Sequence, residues 1–241
     1  MKRFVDIIFS LLGLIVSSPI ILPTLLLVWL QDYHSPFYIA PRVGKNGKIF
    51  SMVKLRSMVV NADKSGVDST SANDNRITAV GRFIRRYKLD EMTQLWNVLK
   101  GDMSLVGPRP NVQRETELYT SVEQKLLSVR PGVTDLSSIV FSDEGDILEG
   151  HPDPDLAYNQ LIRPWKSRLG LIYMNKSSLL LDFRIILITV KAIISRDDAL
   201  QDIVKLLKTL NVEDEVLEIA SRVSELAPYP PPGSDHIVQT R

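Results

Sequence analysis

The run from Phe4 to Leu30 carries one ionisable side chain, Asp6, and nothing else in the chain constrains its folding so strongly. Its core, "IIFSLLGLIVSSPIILPTLLLVWL", is long enough to cross a bilayer. It is too long for the apolar region of a signal peptide and no small-x-small site follows it, so cleavage is not expected despite Lys2 and Arg3 in front. Pro19 and Pro23 lie within the run. Each costs about 3 kcal/mol in an undisturbed helix and removes a backbone donor, which favours a kink. Positive charge flanks the run on both sides, Lys2 and Arg3 before it and Arg42, Lys45, Lys48, Lys54 and Arg56 after it. A spanning helix places one of these groups against the positive-inside rule. A helix broken at Ser18-Pro19 that re-enters the same leaflet keeps both groups cytoplasmic, with Ser18 bonding a carbonyl freed by the break. On the residues alone, both the kinked spanning helix and the re-entrant one stand.

At 241 residues the chain has room for one core with appendages. A net charge of +1 gives no reason to expect a nucleic-acid partner. The absence of cysteine excludes disulfides and cysteine-based metal or nucleophile chemistry, and suits a reducing cytoplasm.

Beyond the apolar run, β-like pieces from Tyr38 to Met58 flank "GKNGK", a hairpin turn. Residues 61–76, polar and glycine-containing, read as a mobile loop. Helical periodicity returns from Thr78 to Leu99 and stops at Lys100-Gly101, and a second helical stretch runs from Val112 to Val129. Residues 143–155 are acidic and turn-rich, and residues 178–196 form an apolar amphipathic helix suited to a membrane surface or a core. Two further helical patterns lie near 199–210 and 214–226, and the proline-rich end "APYPPPGSDHIVQTR" is expected to fray.

The chemistry concentrates in "RRYKLDE", residues 85–91, where cations precede two adjacent carboxylates. Adjacent helical residues point about 100° apart, so Asp90 and Glu91 do not face each other like the acids of a glycosidase. They can share a small site in which one attacks while the other holds a metal or moves a proton. Taken alone, an acid pair in a first helical turn complements the helix dipole, and Asp90 is an ordinary N-cap.

The surroundings favour chemistry. Arg82, Arg85, Arg86 and Lys88 lie just before the pair, and "VGPRP" fixes Arg109 between two prolines on a stiff backbone. "VKLRSM" sets Lys54 and Arg56 on one face of a short strand, and Arg130 precedes a Pro-Gly turn. Any one of these cations suits a solvated surface. Gathered around two carboxylates, they point to a diphosphate substrate with Mg²⁺ neutralising it.

"KLDEMTQLWNVLKGDMSLVGPRP", residues 88–110, resembles the signature of the monotopic phosphoglycosyl transferases, bacterial sugar transferases that begin surface-polysaccharide and glycan assembly on a polyprenol carrier. "KRFVDII", the Ser18-Pro19 pair, "VKLRSM", "RPGVT" and "RPWKSRLGLIYMNKSSLLLDFRIILITVKAIIS" extend the likeness over roughly residues 1–196. The resemblance implies transfer of a sugar 1-phosphate from a UDP-sugar to undecaprenyl phosphate with release of UMP. Asp90 would be the nucleophile and Glu91 its neighbour at the Mg²⁺ site, with Lys54, Arg56, Arg85, Arg109 and Arg130 on the substrate.

It further implies an α+β, mainly helical fold with an N-terminal re-entrant membrane helix, a small β-hairpin and interfacial amphipathic helices around the site. The expected division is a membrane helix over 1–31, a cytoplasmic catalytic domain over 32–196 and a C-terminal helical extension with its tail over 197–241. The place it implies is the cytoplasmic face of a bacterial inner membrane, among membrane lipids. Two departures limit the likeness. "RPGVTDLSSIVFSDEGDIL" replaces the usual continuation of its motif, and residues 197–241 fall outside it, available for partner docking or a homodimer. The competing readings are an Mg²⁺-dependent hydrolase of a nucleotide-sugar or polyprenyl diphosphate, and a membrane-anchored scaffold without catalysis.

Overall fold

The structure, a computed structural model, describes residues 1–62 and 74–240, so most of the loop expected at 61–76 lies outside the described residues. Helix α1 runs from Lys2 to Asp32 with Pro19 and Pro23 inside it. Pro19 cannot donate to the Ile15 carbonyl one turn back, and the Ser18 hydroxyl donates to that oxygen instead, at 2.7 Å.

Both ends of α1 are fastened to the same body. Near its start, Lys2 Nζ donates to the Val106 carbonyl, to Tyr173 Oη and to Asp182, while Arg3 donates to the Val98 and Leu99 carbonyls that end a later helix. Asp6 is buried and accepts from Ser104 Oγ and the Leu105 N–H. At its far end, Asp32 pairs with Arg56. In between, Ile21 and Val28 pack with Leu55, Ile84 and Leu89 in a small apolar cluster. The other side of α1 is open, with Phe4, Ile15, Val16 and Leu22 exposed.

The expected hairpin is present. Strands β1 (Phe37–Val43) and β2 (Ile49–Leu55) pair antiparallel, with Phe37 opposite Leu55 and Val43 opposite Ile49. Asn46 and Gly47 take positive φ in the turn between them, where asparagine and glycine are least strained.

The helix expected from Thr78 to Leu99 is three pieces: α2 (Ala79–Arg86), α3 (Leu89–Met92) and α4 (Leu95–Lys100). Lys88 breaks it, adopting φ 55°, and the apolar spacing gave no sign of that turn. Thr78 caps α2 by accepting from the Gly81 N–H, and Gly101 ends α4 in the left-handed region. The stretch expected from Val112 to Val129 is likewise divided, into α5 (Gln113–Glu117) and a 3₁₀ segment, Glu123–Ser128.

A second sheet was not foreseen. Strand β3 (Ser104–Val106) pairs in parallel with β4 (Gly132–Thr134), each only three residues long. Short helices α6 (Leu136–Val140), α7 (Glu144–Ile147) and α8 (Pro154–Ala157) follow, then a π turn at Tyr158–Ile162 that leads into α9 (Arg163–Lys176). Helix α10 (Leu179–Ile194) answers the apolar 178–196 pattern, with Ser178 as its cap. Its outer face leaves Leu180, Leu187 and Ile194 exposed. Helices α11 (Arg196–Thr209) and α12 (Asp214–Ser221) share the main core with α6, α9 and α10, through residues such as Leu136, Leu169, Ile185, Ile203 and Leu207.

The tail corrects an expectation: it does not fray. Tyr229 stacks on Trp165 with ring centres 4.4 Å apart, and the Arg168 guanidinium lies over both rings. The carbonyls of Pro230 and Val238 accept from Arg168 and Gln160, and Thr120 donates to the Pro232 carbonyl. Prolines already restricted in φ lose less freedom on docking, and here Pro231 and Pro232 are buried. Among the described residues the fold is mainly helical, with one hairpin, a short parallel pair and one long apolar helix at the start.

Candidate active site

The break at Lys88 sets the site. Because α2 stops there, Asp90 and Glu91 stand on the four-residue α3 rather than midway along a helix, and α3 packs against β2 and α1. Both carboxylates are largely buried, and each has its own cation. Lys54 Nζ, from β2, lies 3.6 Å from Asp90 Oδ2. Arg109 Nη2 donates to Glu91 Oε1 at 2.8 Å, and its other terminal nitrogen donates to the Val133 carbonyl on β4.

The position of Arg109 follows from two glycines. Gly107 of "VGPRP" and Gly132 of "RPGVT" meet backbone to backbone, so a Cβ built on Gly132 would lie 2.1 Å from the Gly107 nitrogen. The Gly132 N–H donates to the Pro108 carbonyl and the Gly107 N–H to the Thr134 carbonyl, which locks the two motifs together beneath Arg109. A glycine in each motif was the available signal, but nothing in one chain says that the two touch.

Electrostatics keep Glu91 ionised. Burial pushes its carboxyl up, but the charges of Arg109, Lys88 and Lys54 outweigh that and hold it down at about 2. Burial pushes Lys54 down, opposed chiefly by the charge of Asp90. Arg109 rises on balance, because Glu91 outweighs its burial. Burial also lowers Arg85, again opposed by Asp90.

Lys54, Arg85 and Asp90 open on a cavity of about 960 Å³ that runs between the hairpin and α5, past Arg42, Gln113 and Arg114. It is roomy enough for a nucleotide-sized ligand.

The other expected cations are placed differently. Arg56 borders the same cavity, but its guanidinium is engaged by Asp32 and by the Ser35 carbonyl. Arg130 donates to the Gly101 carbonyl behind α4 and makes no contact with either acid. Ser18 and Pro19 stay on α1. Asp135 was not foreseen at all: it caps α6 through the Ser138 N–H, and its charge acts on Arg109.

Among the described residues no three metal-binding side chains gather. Two carboxylates are nonetheless a donor set that suits Mg²⁺, which commonly takes one or two from protein and completes its shell with phosphate oxygens and water. The pair alone would hold such an ion weakly. A bound diphosphate would complete its coordination.

A family model described as bacterial sugar transferase matches residues 1–196. The chain belongs to the bacterial sugar transferase family. Within that family, the putative undecaprenyl-phosphate N-acetylgalactosaminyl 1-phosphate transferase of Bacillus subtilis is 47% identical over 118 residues, 49% of this chain and 66% of that protein. The undecaprenyl-phosphate galactose phosphotransferase of Salmonella typhimurium is 36% identical over 217 residues, 83% of this chain and 41% of that protein. The UDP-glucose:undecaprenyl-phosphate glucose-1-phosphate transferase of Klebsiella pneumoniae is 37% identical over 193 residues, 78% of this chain and 39% of that protein. The chain therefore spans between 39% and 66% of the length of these relatives. The acid pair, Lys54 and Arg109 lie inside the matched region, while α11 after Arg196, α12 and the docked tail lie beyond it.

Proposed function

We propose that this chain transfers a sugar 1-phosphate from a UDP-sugar to undecaprenyl phosphate, through a covalent intermediate on Asp90. The observation that carries the proposal is an adjacent acid pair in which each carboxylate faces its own cation and Asp90, with Lys54, stands at the cavity wall. A carboxylate attacks an anionic diphosphate only where repulsion is cancelled and the leaving group is stabilised. Asp90 attacks the phosphorus that bears the sugar, its bond to the bridging oxygen breaks, and UMP departs with that oxygen. An oxygen of undecaprenyl phosphate then attacks the same phosphorus, which frees Asp90 and yields the lipid diphosphate sugar. Lys54 and Arg85 line the path of the diphosphate, and Arg109 orients Glu91. Asp90 and Glu91 would hold Mg²⁺, whose charge would stabilise the leaving phosphate. The relatives' names differ in their sugar, so the proposal stands at the level of a UDP-sugar.

The membrane part of the proposal rests on α1. Its two ends bind one body, and its open face and that of α10 are both apolar, which favours a helix held in one leaflet rather than one that crosses. In this reading the work is done at the cytoplasmic face of the inner membrane, where the lipid phosphate would lie.

The decisive experiment incubates the protein with each member of a labelled UDP-sugar panel, first without acceptor. One UDP-sugar should release up to one equivalent of UMP and leave a phosphosugar on Asp90, discharged by undecaprenyl phosphate. Asp90→Asn should form no adduct and no product. Substantial turnover by Asp90→Asn would overturn the covalent route in favour of direct attack by the lipid. Release of inorganic phosphate or free sugar phosphate with no acceptor requirement would indicate a hydrolase.

A further inference from the structure

The edge of β2 that faces away from β1 is paired by side chains. The Val53 N–H donates to Asn97 Oδ1 at 2.9 Å, and Asn97 Nδ2 donates to the Ser51 carbonyl at 2.7 Å. Thr93 Oγ1 donates to the Val53 carbonyl at 3.1 Å. These backbone groups belong to alternate residues, the set an antiparallel partner would occupy. A carboxamide presents a donor and an acceptor together, as a peptide group does, so Asn97 takes the place of a neighbouring strand.

Both side chains are buried, and they lie four positions apart, so they stand one above the other on the α3–α4 segment. Asn97 is itself fixed, because its backbone carbonyl accepts from Gly101, Asp102 and Met103 at the end of α4. The Thr93 hydroxyl has a second neighbour, the carbonyl of Asp90, also at 3.1 Å. One hydroxyl thus touches the backbone of α3 at Asp90 and that of β2 at Val53, the residue immediately before Lys54.

We infer that Thr93 and Asn97 are positioning residues that set the register of β2 against α3, and through it the placing of Lys54 at Asp90. Neither side chain belongs to the diphosphate's path in this reading. Their effect on the reaction, which rests on the function proposed above, passes through Lys54. A desolvated ammonium loses its hold on a carboxylate steeply as the two separate, so a small slip of the strand matters.

The test is a double-mutant cycle with an independent structural readout. Thr93→Val, Thr93→Ser and Asn97→Ala are made in the natural chain and on Lys54→Met, and kcat/KM is measured with UDP-sugar and undecaprenyl phosphate. Thr93→Val keeps its shape and should lower kcat/KM about tenfold beside Lys54 but less than about twofold beside Met, and Thr93→Ser should recover most of the loss. Deuterium exchange over residues 49–55 should quicken in Asn97→Ala and Thr93→Val while the remaining helices keep their protection. Equal fold-losses on both backgrounds, or unchanged exchange in 49–55, would overturn the inference. A natural chain that turns over no UDP-sugar would remove the functional reading alone, and the exchange measurement would still decide whether these side chains hold the strand.

Discussion

Arg56 and Asp32 form a two-pronged ion pair, Nη1 on Oδ2 at 2.5 Å and Nη2 on Oδ1 at 2.7 Å, which joins the end of α1 to the end of β2. Arg56 Nε also donates to the Ser35 carbonyl, so the planar fork is fully committed. The hydrogen bonds from Arg56 hold the Asp32 carboxyl well below its usual range.

Arg56 is therefore expected to act on stability before catalysis. Arg56→Lys keeps the charge but loses the fork, so the thermal unfolding temperature should fall while KM for the UDP-sugar stays within about twofold. The sign with pH follows from the depressed carboxyl: the pair's contribution is complete above the ordinary aspartate range and is lost as pH falls through the lower folded value. Asp32→Asn should abolish that acid-side loss. A large rise in KM at unchanged stability would return Arg56 to the diphosphate.

Arg109 should behave in the opposite way. Its guanidinium joins Glu91 to the Val133 carbonyl through two nitrogens of one planar fork, a geometry that the single nitrogen of a lysine does not reproduce. Arg109→Lys should keep the fold and lose about 2–4 kcal/mol of transition-state stabilisation, by analogy with a lost charge-assisted donor in a dry site. Arg109→Met removes the largest charge holding Glu91 at about 2, leaving its burial less opposed. The Glu91 carboxyl should then rise, so the acid limb of the kcat/KM profile moves to higher pH. An unmoved acid limb would show that ionised Glu91 is not needed in the free enzyme.

The contrast between these two arginines marks what the sequence could carry. Charge clusters, the hairpin turn and the apolar helix at 178–196 are local patterns, and each is legible in a single chain. "VKLRSM" places Lys54 and Arg56 on one strand face, but only the return of α1 to the end of β2 decides that Arg56 meets Asp32. The same holds for Gly107 on Gly132 and for the β3–β4 pair, contacts between segments that no local period reports. Lys88 is the sharpest case. A lysine at φ 55° inside an apolar rhythm leaves no mark on that rhythm, yet it divides the expected helix just before Asp90, which stands at the cavity. The tail departs from expectation for a different reason: proline-rich composition signals the absence of helix, which is not the absence of order.

The tail supplies a prediction on stability alone. Removing residues 228–241 takes away the Tyr229–Trp165 stack, the Arg168 contact with both rings and the hydrogen bonds from Arg168, Thr120 and Gln160. Stacking and cation–π contacts together suggest a loss of about 1–3 kcal/mol. The truncated protein should unfold at a lower temperature, and Tyr229→Ala should reproduce much of the change. Tyr229→Phe should lose less, since it keeps the ring and gives up only the contact of the hydroxyl with Glu215. An unchanged unfolding temperature after truncation would mean that the tail rests on the body without bracing it.

Topology can be tested through the same attachments that fasten α1. If the helix crossed the membrane, one of its ends would leave the body. At the start that breaks the contacts of Lys2 with Asp182 and Tyr173, uncaps the carbonyls held by Arg3 and strands the buried carboxylate of Asp6. At the other end it breaks Asp32 from Arg56. Breaking a buried, hydrogen-bonded charge from its partners costs about 3–5 kcal/mol, so the attached arrangement should prevail. Reporter tags at the N-terminus and the C-terminus should therefore both resist an impermeant reagent added to intact cells, and both should react once the cells are opened. Labelling of the N-terminal tag alone in intact cells would establish a spanning helix. Pro19→Leu with Pro23→Leu restores the missing donors and favours a longer straight helix, so it should shift some molecules towards that outcome. Adding Asp6→Leu to those changes removes the charge that ties the first turns to Ser104 and Leu105, and should shift more.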